Sequence, residues 1–163
     1  MNPTDFLSLA QRLAGNLKAA NEQAEIRTII SRAYYAAFNE ATRVVEQVVG
    51  MSLPPPDEHW ALQMWLTKSK EGRALQAGTN LVELHKIRKR ADYRMNDDPP
   101  MGFVKTAFEW AVRIIEAVAA IETDQTKRAQ LRAEVIALDT EIKRTFVTYS
   151  RWRDSLARRP RVR

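Results

Sequence analysis

The chain contains no cysteine, only two histidines, five scattered glycines and no long apolar run. Each shortage removes a class of function. Without cysteine there is no disulfide and no thiolate metal centre, a composition that fits a cytoplasmic protein. His59 and His85 alone do not furnish a His-rich metal site. The glycines never form G-x-G-x-x-G or a P-loop, and no H-E-x-x-H is present. The most apolar segment, Trp110 to Ile121, is broken by Arg113 and Glu116, whereas a membrane helix needs about 20 apolar residues. The amino-terminal "MNPTDFLSLAQRLAG" has neither a basic leader nor an uninterrupted apolar stretch, so no export signal is expected. No metal or other cofactor is implied.

What is present describes a soluble globular chain: 163 residues, 45% hydrophobic and 28% charged, enough for one domain with a core. The charge is unevenly placed. Residues 143–163 hold eight cations against the single acid Asp154, a net of +7; the chain totals +6, so the other 142 residues sum to −1. A basic end on a near-neutral body suits contact with a polyanion or an acidic partner.

Apolar spacing is helical almost throughout. Pro3 suits a first turn, with Phe6, Leu9, Leu13 and Leu17 following. Asn21 can cap a second helix reaching Gly50, with Ile26, Ile30, Tyr34, Ala37, Ala41, Val44 and Val48 on one stripe. "MSLPPPD" forces a break, and Asp57 caps a shorter helix carrying Trp60, Met64 and Trp65. Gly72 and Gly78 suggest a loose connection, with Thr79 or Asn80 starting the fourth helix. "NDDPP" ends it, Asp97 and Asp98 reading as turn and cap. A fifth helix spans about 101–121, with Val104, Ala107, Phe108, Ala111, Ile115 and Val118 inward. After "ETDQ" a single long final helix is expected, with Leu131, Val135, Leu138, Ile142, Phe146, Tyr149, Trp152 and Leu156 on a near-heptad seam. That seam either packs back on its own bundle or meets a partner helix. The expected fold is an all-α, up-and-down helical bundle over 1–122, with an amphipathic basic helix and tail over 123–163.

Two segments concentrate polar chemistry. "SRAYYAAF", residues 31–38, sets Tyr34 and Tyr35 among small residues, one facing the core and the other its edge. "LHKIRKRADYRM", residues 84–95, divides by helical geometry. His85, Arg88 and Asp92 share a face, where Arg88 and Asp92 can pair, and Tyr93 adjoins them. Lys86, Lys89, Arg90 and Arg94 fall elsewhere on the cylinder as a basic flank. Together with Arg151, Arg153, Arg158 and Arg159 they are the candidate nucleic-acid contacts.

In that order, "SRAYYAAFNEA" and "LHKIRKRADYRM" resemble the HEPN domain family, in the prokaryotic branch with S-x-x-Y-Y-A-x-F and R-x-x-x-D-Y signatures. The likeness spans roughly residues 5–122. It implies a helical bundle that usually forms a homodimer. Many such proteins are metal-independent ribonucleases acting as toxins or in antiviral defence, some beside a nucleotidyltransferase antitoxin. Arg88 matches the family arginine, which stabilises charge on the phosphate. Tyr93 stands where an active nuclease keeps a histidine, and a tyrosine that titrates near ~10 is a poor proton shuttle at neutral pH. His59 is the candidate for the missing imidazole, His85 a second one, and Asp92 orients Arg88. The alternative is a catalytically silent HEPN subunit that docks into a larger complex through its C-terminal helix. Tyr93 is also a candidate target for modification.

Overall fold

The computed structural model describes residues 3–16, 23–94, 96–146 and 148–157, and among these it is an all-α helical bundle without strands. Seven helices follow in order: α1 (Pro3–Asn16), α2 (Gln23–Val49), α3 (Glu58–Thr67), α4 (Gly72–Tyr93), α5 (Gly102–Glu122), α6 (Gln125–Phe146) and α7 (Tyr149–Ala157). Asn21 and Leu17 lie outside the described residues, as do Arg158 and Arg159.

α2 is the axis of the bundle. Every residue of its expected stripe is buried, joined by Ile29, Ala33, Ala36, Val45 and Val49. It packs against α1, α3, α4, α5 and α6, so almost the whole circumference faces protein. Burying one such Ile or Val contributes roughly 1.5–3 kcal/mol, which outweighs the modest helix propensity of β-branched residues. Gly50 stops the helix with φ of 76°, a left-handed turn that glycine enters without steric cost. The prolines that follow cannot donate, and Glu46 of α2 accepts the Leu53 N–H at 2.7 Å.

Three sequence expectations change. α4 begins at Gly72, not at Thr79 or Asn80. Its N-cap is Glu71, whose carboxylate accepts from Ala74 N at 2.6 Å. Gly78 lies inside the helix, where an added Cβ would sit 2.7 Å from Thr67 N and 2.8 Å from Leu66 Cβ. That glycine sets the close approach of α3 and α4 rather than a loop.

The single long final helix is in fact two. Phe146 ends α6, and Thr148 caps α7 by accepting from Arg151 N at 3.2 Å. The turn swings Tyr149 and Trp152 onto the rings of Trp60 and Trp65, an arrangement a straight helix would forgo. Leu131, Val135, Ile142, Tyr149 and Trp152 are buried in the same core as α2, while Leu156 is exposed. Most of the seam therefore packs back on its own bundle, with Leu138 and Phe146 partly covered and Leu156 open.

Asp57 also departs from expectation. It stands at the N-cap of α3 without a side-chain capping bond, and its buried carboxylate instead accepts from Ser150 and Arg153 of α7. Glu134 of α6 performs a similar service, accepting from Ser69 Oγ and, at 3.0 Å, from Lys70 N in the α3–α4 loop. No described helix is long and apolar enough to cross a membrane.

Candidate functional site

Residues from three helices meet at one edge of the bundle. α2 brings Ser31, Tyr34, Tyr35 and Phe38; α3 brings His59 and Gln63; α4 brings His85, Arg88, Asp92 and Tyr93. Spacing of three and four along each helix aims these side chains the same way. Tyr34 is fully buried and Tyr35 half-buried, the split expected of adjacent tyrosines on a core-edge helix.

Arg88 is the centre. Its Nε lies 2.6 Å from Asp92 Oδ2, an ion pair whose N–H is not aimed well enough for a directed hydrogen bond. Its Nη2 donates to the Tyr35 hydroxyl at 3.0 Å. The guanidinium carbon lies 5.8, 5.2 and 5.2 Å from the ring centroids of Tyr34, Tyr35 and Tyr93, within cation–π range. Burial works against the charge, but Asp92, Tyr35 and Tyr93 outweigh it and hold Arg88 above its ordinary pKa. The result is a permanently charged, rigid fork at 12% side-chain exposure, suited to an anion.

The two imidazoles sit beside it. His59 and His85 have ring centroids 5.5 Å apart, and Tyr34 joins them: its hydroxyl is 2.7 Å from His59 Nδ1 and its ring stacks on His85 at 5.1 Å. Phe38 covers His59 at 4.1 Å. Gln63 Nε2 lies 2.8 Å from His85 Nδ1. Burial, then Arg88, pulls the His59 pKa down, with Glu58 opposing. His85 is pushed down to about 4 by burial first, then by His59, Lys89 and Arg88. Burial raises the Tyr34 pKa, so its hydroxyl stays protonated. At neutral pH the cluster is one Arg88–Asp92 ion pair beside neutral hydrogen-bonding groups.

Comparison with known protein families, curated proteins and solved structures finds no match.

Sequence reasoning named Arg88, Asp92, Tyr93, His59 and His85, and the fold brings all five together. Tyr93 is the outlying member, 67% exposed. Of the basic flank, Lys86 pairs with Glu83 and Arg90 makes a two-point contact with Asp97 at 2.6 and 2.7 Å. Lys89 and Arg94 are exposed. In the C-terminal segment Arg151 is exposed, and Arg153 is committed to Asp57 and Asp154.

Two contributors went unrecognised in the sequence. Gln63 is four residues after His59 on α3, a spacing that could have flagged it. Arg27 of α2 donates to the carbonyls of Ala91 and Arg94, and to that of Asp97 at 3.1 Å, so it holds the end of α4 in place. Nothing local in sequence links residues so far apart. Among the described residues no cluster of three or more His, Cys, Asp or Glu side chains could hold a metal ion.

Proposed function

We propose that this chain is a HEPN-type protein of the cytoplasm that binds RNA phosphates at the Arg88 edge. One observation carries the proposal: Arg88 is held charged by Asp92 and Tyr35 with only a small part of its side chain exposed, next to two imidazoles kept neutral by burial. A phosphate oxygen would meet the guanidinium fork directly, and neutral imidazole N–H groups would add hydrogen bonds without adding charge. Further support comes from the meeting of "SRAYYAAF" and "HKIRKRADY" in one place, since these are the segments that carry the family likeness.

Binding is favoured over cutting by Tyr93, which stands where the family nuclease has its histidine. Were the protein a ribonuclease toxin or defence effector, His59 would be the group to move the proton. A homodimer, and a nucleotidyltransferase antitoxin, belong to the same proposal as partners.

Purified protein and labelled RNA provide the test. Arg88→Glu is expected to abolish binding and Arg88→Lys to retain part of it. Wild-type affinity in Arg88→Glu would remove Arg88 from the site. Loss of bulk-RNA cleavage in His59→Ala, with binding intact, would establish the enzyme.

A silent subunit of a larger complex is the second possibility, and Tyr93 in place of histidine is again its supporting feature. It would dock through its C-terminal helices, where Ile136 of α6 and Leu156 of α7 are exposed.

A further inference from the structure

Tyr93 has an unusual setting for an exposed aromatic. Isolated apolar side chains on a surface need no explanation. This ring, however, lies beneath the Arg88 guanidinium at 5.2 Å, and it lines a surface depression of about 490 Å³ with Lys86, Lys89, Arg90 and Arg94. Every other lining residue is a cation. Lys86 and Arg90 are balanced by Glu83 and Asp97, whereas Lys89 and Arg94 have no carboxylate within 4.0 Å among the described residues. Lys89 is one helical turn before Tyr93 and Arg94 follows it, so two cations without a contacting carboxylate flank an open ring, Arg94 interacting with Asp97 only at longer range.

Backbone anchors fix this arrangement. Arg27 holds the carbonyls of Ala91 and Arg94, on either side of Tyr93, and Asp97 ties Arg90 back to the turn. A ring with Arg88 over one face, 67% exposed and bordered by cations, is what a nucleobase and its two phosphates require. A duplex keeps its bases stacked on one another and offers no free face to such a ring.

We infer that Tyr93 is a stacking platform for an unpaired base of single-stranded RNA, with Lys89 and Arg94 meeting the flanking phosphates. This rests on the assignment of the Arg88 edge as an RNA-phosphate site. It adds that the strand is single and that an aromatic face, not charge alone, selects it.

Fluorescence anisotropy of the whole chain tests this with three probes: a labelled oligoadenylate, the same strand annealed to its complement, and inorganic polyphosphate. The single strand should bind more tightly than the duplex. Tyr93→Ala should weaken single-strand binding on the order of tenfold, Tyr93→Phe should restore it, and neither should alter polyphosphate binding. Replacing Lys89 and Arg94 together with Gln should reduce the salt slope for the single strand by about 1.4. Thermal melting of Tyr93→Ala should match wild type, because the ring is exposed. If Tyr93→Ala binds oligoadenylate as wild type does, or the duplex binds equally well, the stacking role is overturned while the Arg88 site stands. If the unaltered protein binds no RNA, the Arg88 assignment falls as well.

Discussion

The Tyr34 hydroxyl lies 2.7 Å from Nδ1 of His59, and His59 is its one hydrogen-bond partner among the described residues. A buried hydroxyl with a single partner satisfies its hydrogen by donating, which makes Nδ1 the acceptor and leaves the imidazole proton on Nε2. Gln63 donates to His85 in the same sense. Both rings should therefore be neutral Nε2–H tautomers at pH 7. Nitrogen-15 chemical shifts of the two histidines check this directly. Tyr34→Phe should release His59 to a mixture of tautomers and leave His85 unchanged; a dominant Nδ1–H form of His59 in the wild type would refute the assignment.

Acid should weaken the fold through these rings. A histidine in the unfolded chain titrates near ~6.5, whereas His85 in the fold titrates at about 4 and His59 also lies below its ordinary value. Between those values the unfolded state binds more protons, so stability rises with pH across the window and falls as pH drops through it. The groups opposing the proton on His85 are His59, Lys89 and Arg88. Thermal midpoints measured from pH 7 to pH 4 should fall, and His85→Asn should flatten that fall. An unchanged slope in the variant would show that other groups control it.

Tyr149 ties α7 to the core through two buried bonds, accepting from Trp65 Nε1 at 2.7 Å and donating to Asp139 Oδ1 at 3.1 Å. Tyr149→Phe keeps the ring but strips buried Trp65 Nε1 of its acceptor and leaves Asp139 with the Lys143 pair. The expected cost is about 1–3 kcal/mol in denaturant unfolding, larger than that of a surface substitution.

Gly78→Ala adds a methyl group where α4 meets the last turn of α3, 2.7–2.9 Å from Thr67 N, Leu66 Cβ and Leu66 C. Two of those atoms are backbone, so a rotamer change does not relieve the contact. Despite the better helix propensity of alanine, overpacking should dominate, at about 1–3 kcal/mol of destabilisation. A Gly15→Ala control, with nothing within 4 Å of the added Cβ, should be neutral or stabilising.

Removing Arg27 should loosen the end of α4 without unfolding the bundle. Arg27→Met keeps much of the apolar stem and loses the bonds to Ala91, Arg94 and Asp97. Amide hydrogen exchange should accelerate over residues 90–94 and stay slow in the middle of α2.

The features readable in sequence were those written at helical spacing. The α2 stripe from Ile26 to Val48 and the Arg88–Asp92 pair each lie within one helix, so periodicity alone exposed them. The start of α4 was misplaced because Gly78 resembles a helix breaker when the neighbouring backbone of α3 is out of view. The break between α6 and α7 was hidden because Tyr149 and Trp152 keep the apolar rhythm across it. The joining of His59 with Gln63, His85 and Tyr34 depends on three helices packing, and the closure of α4 by Arg27 spans more than sixty residues. Such contacts have no local signature.

The attachment of α7 to Asp57, and of Glu134 to the α3–α4 loop, bears on the order in which the chain matures. As the polypeptide emerges during synthesis, α3 and the start of α4 leave the ribosome well before the residues that cover and brace them. Trp60 and Trp65 stay uncovered, and the loop that launches the arginine-bearing helix stays unbraced, until α6 and α7 follow. The Arg88 edge is assembled from the middle of the chain but braced by segments translated later, so a nascent chain would carry Tyr34, His59 and Arg88 before α6 and α7 secure the helices that bear them.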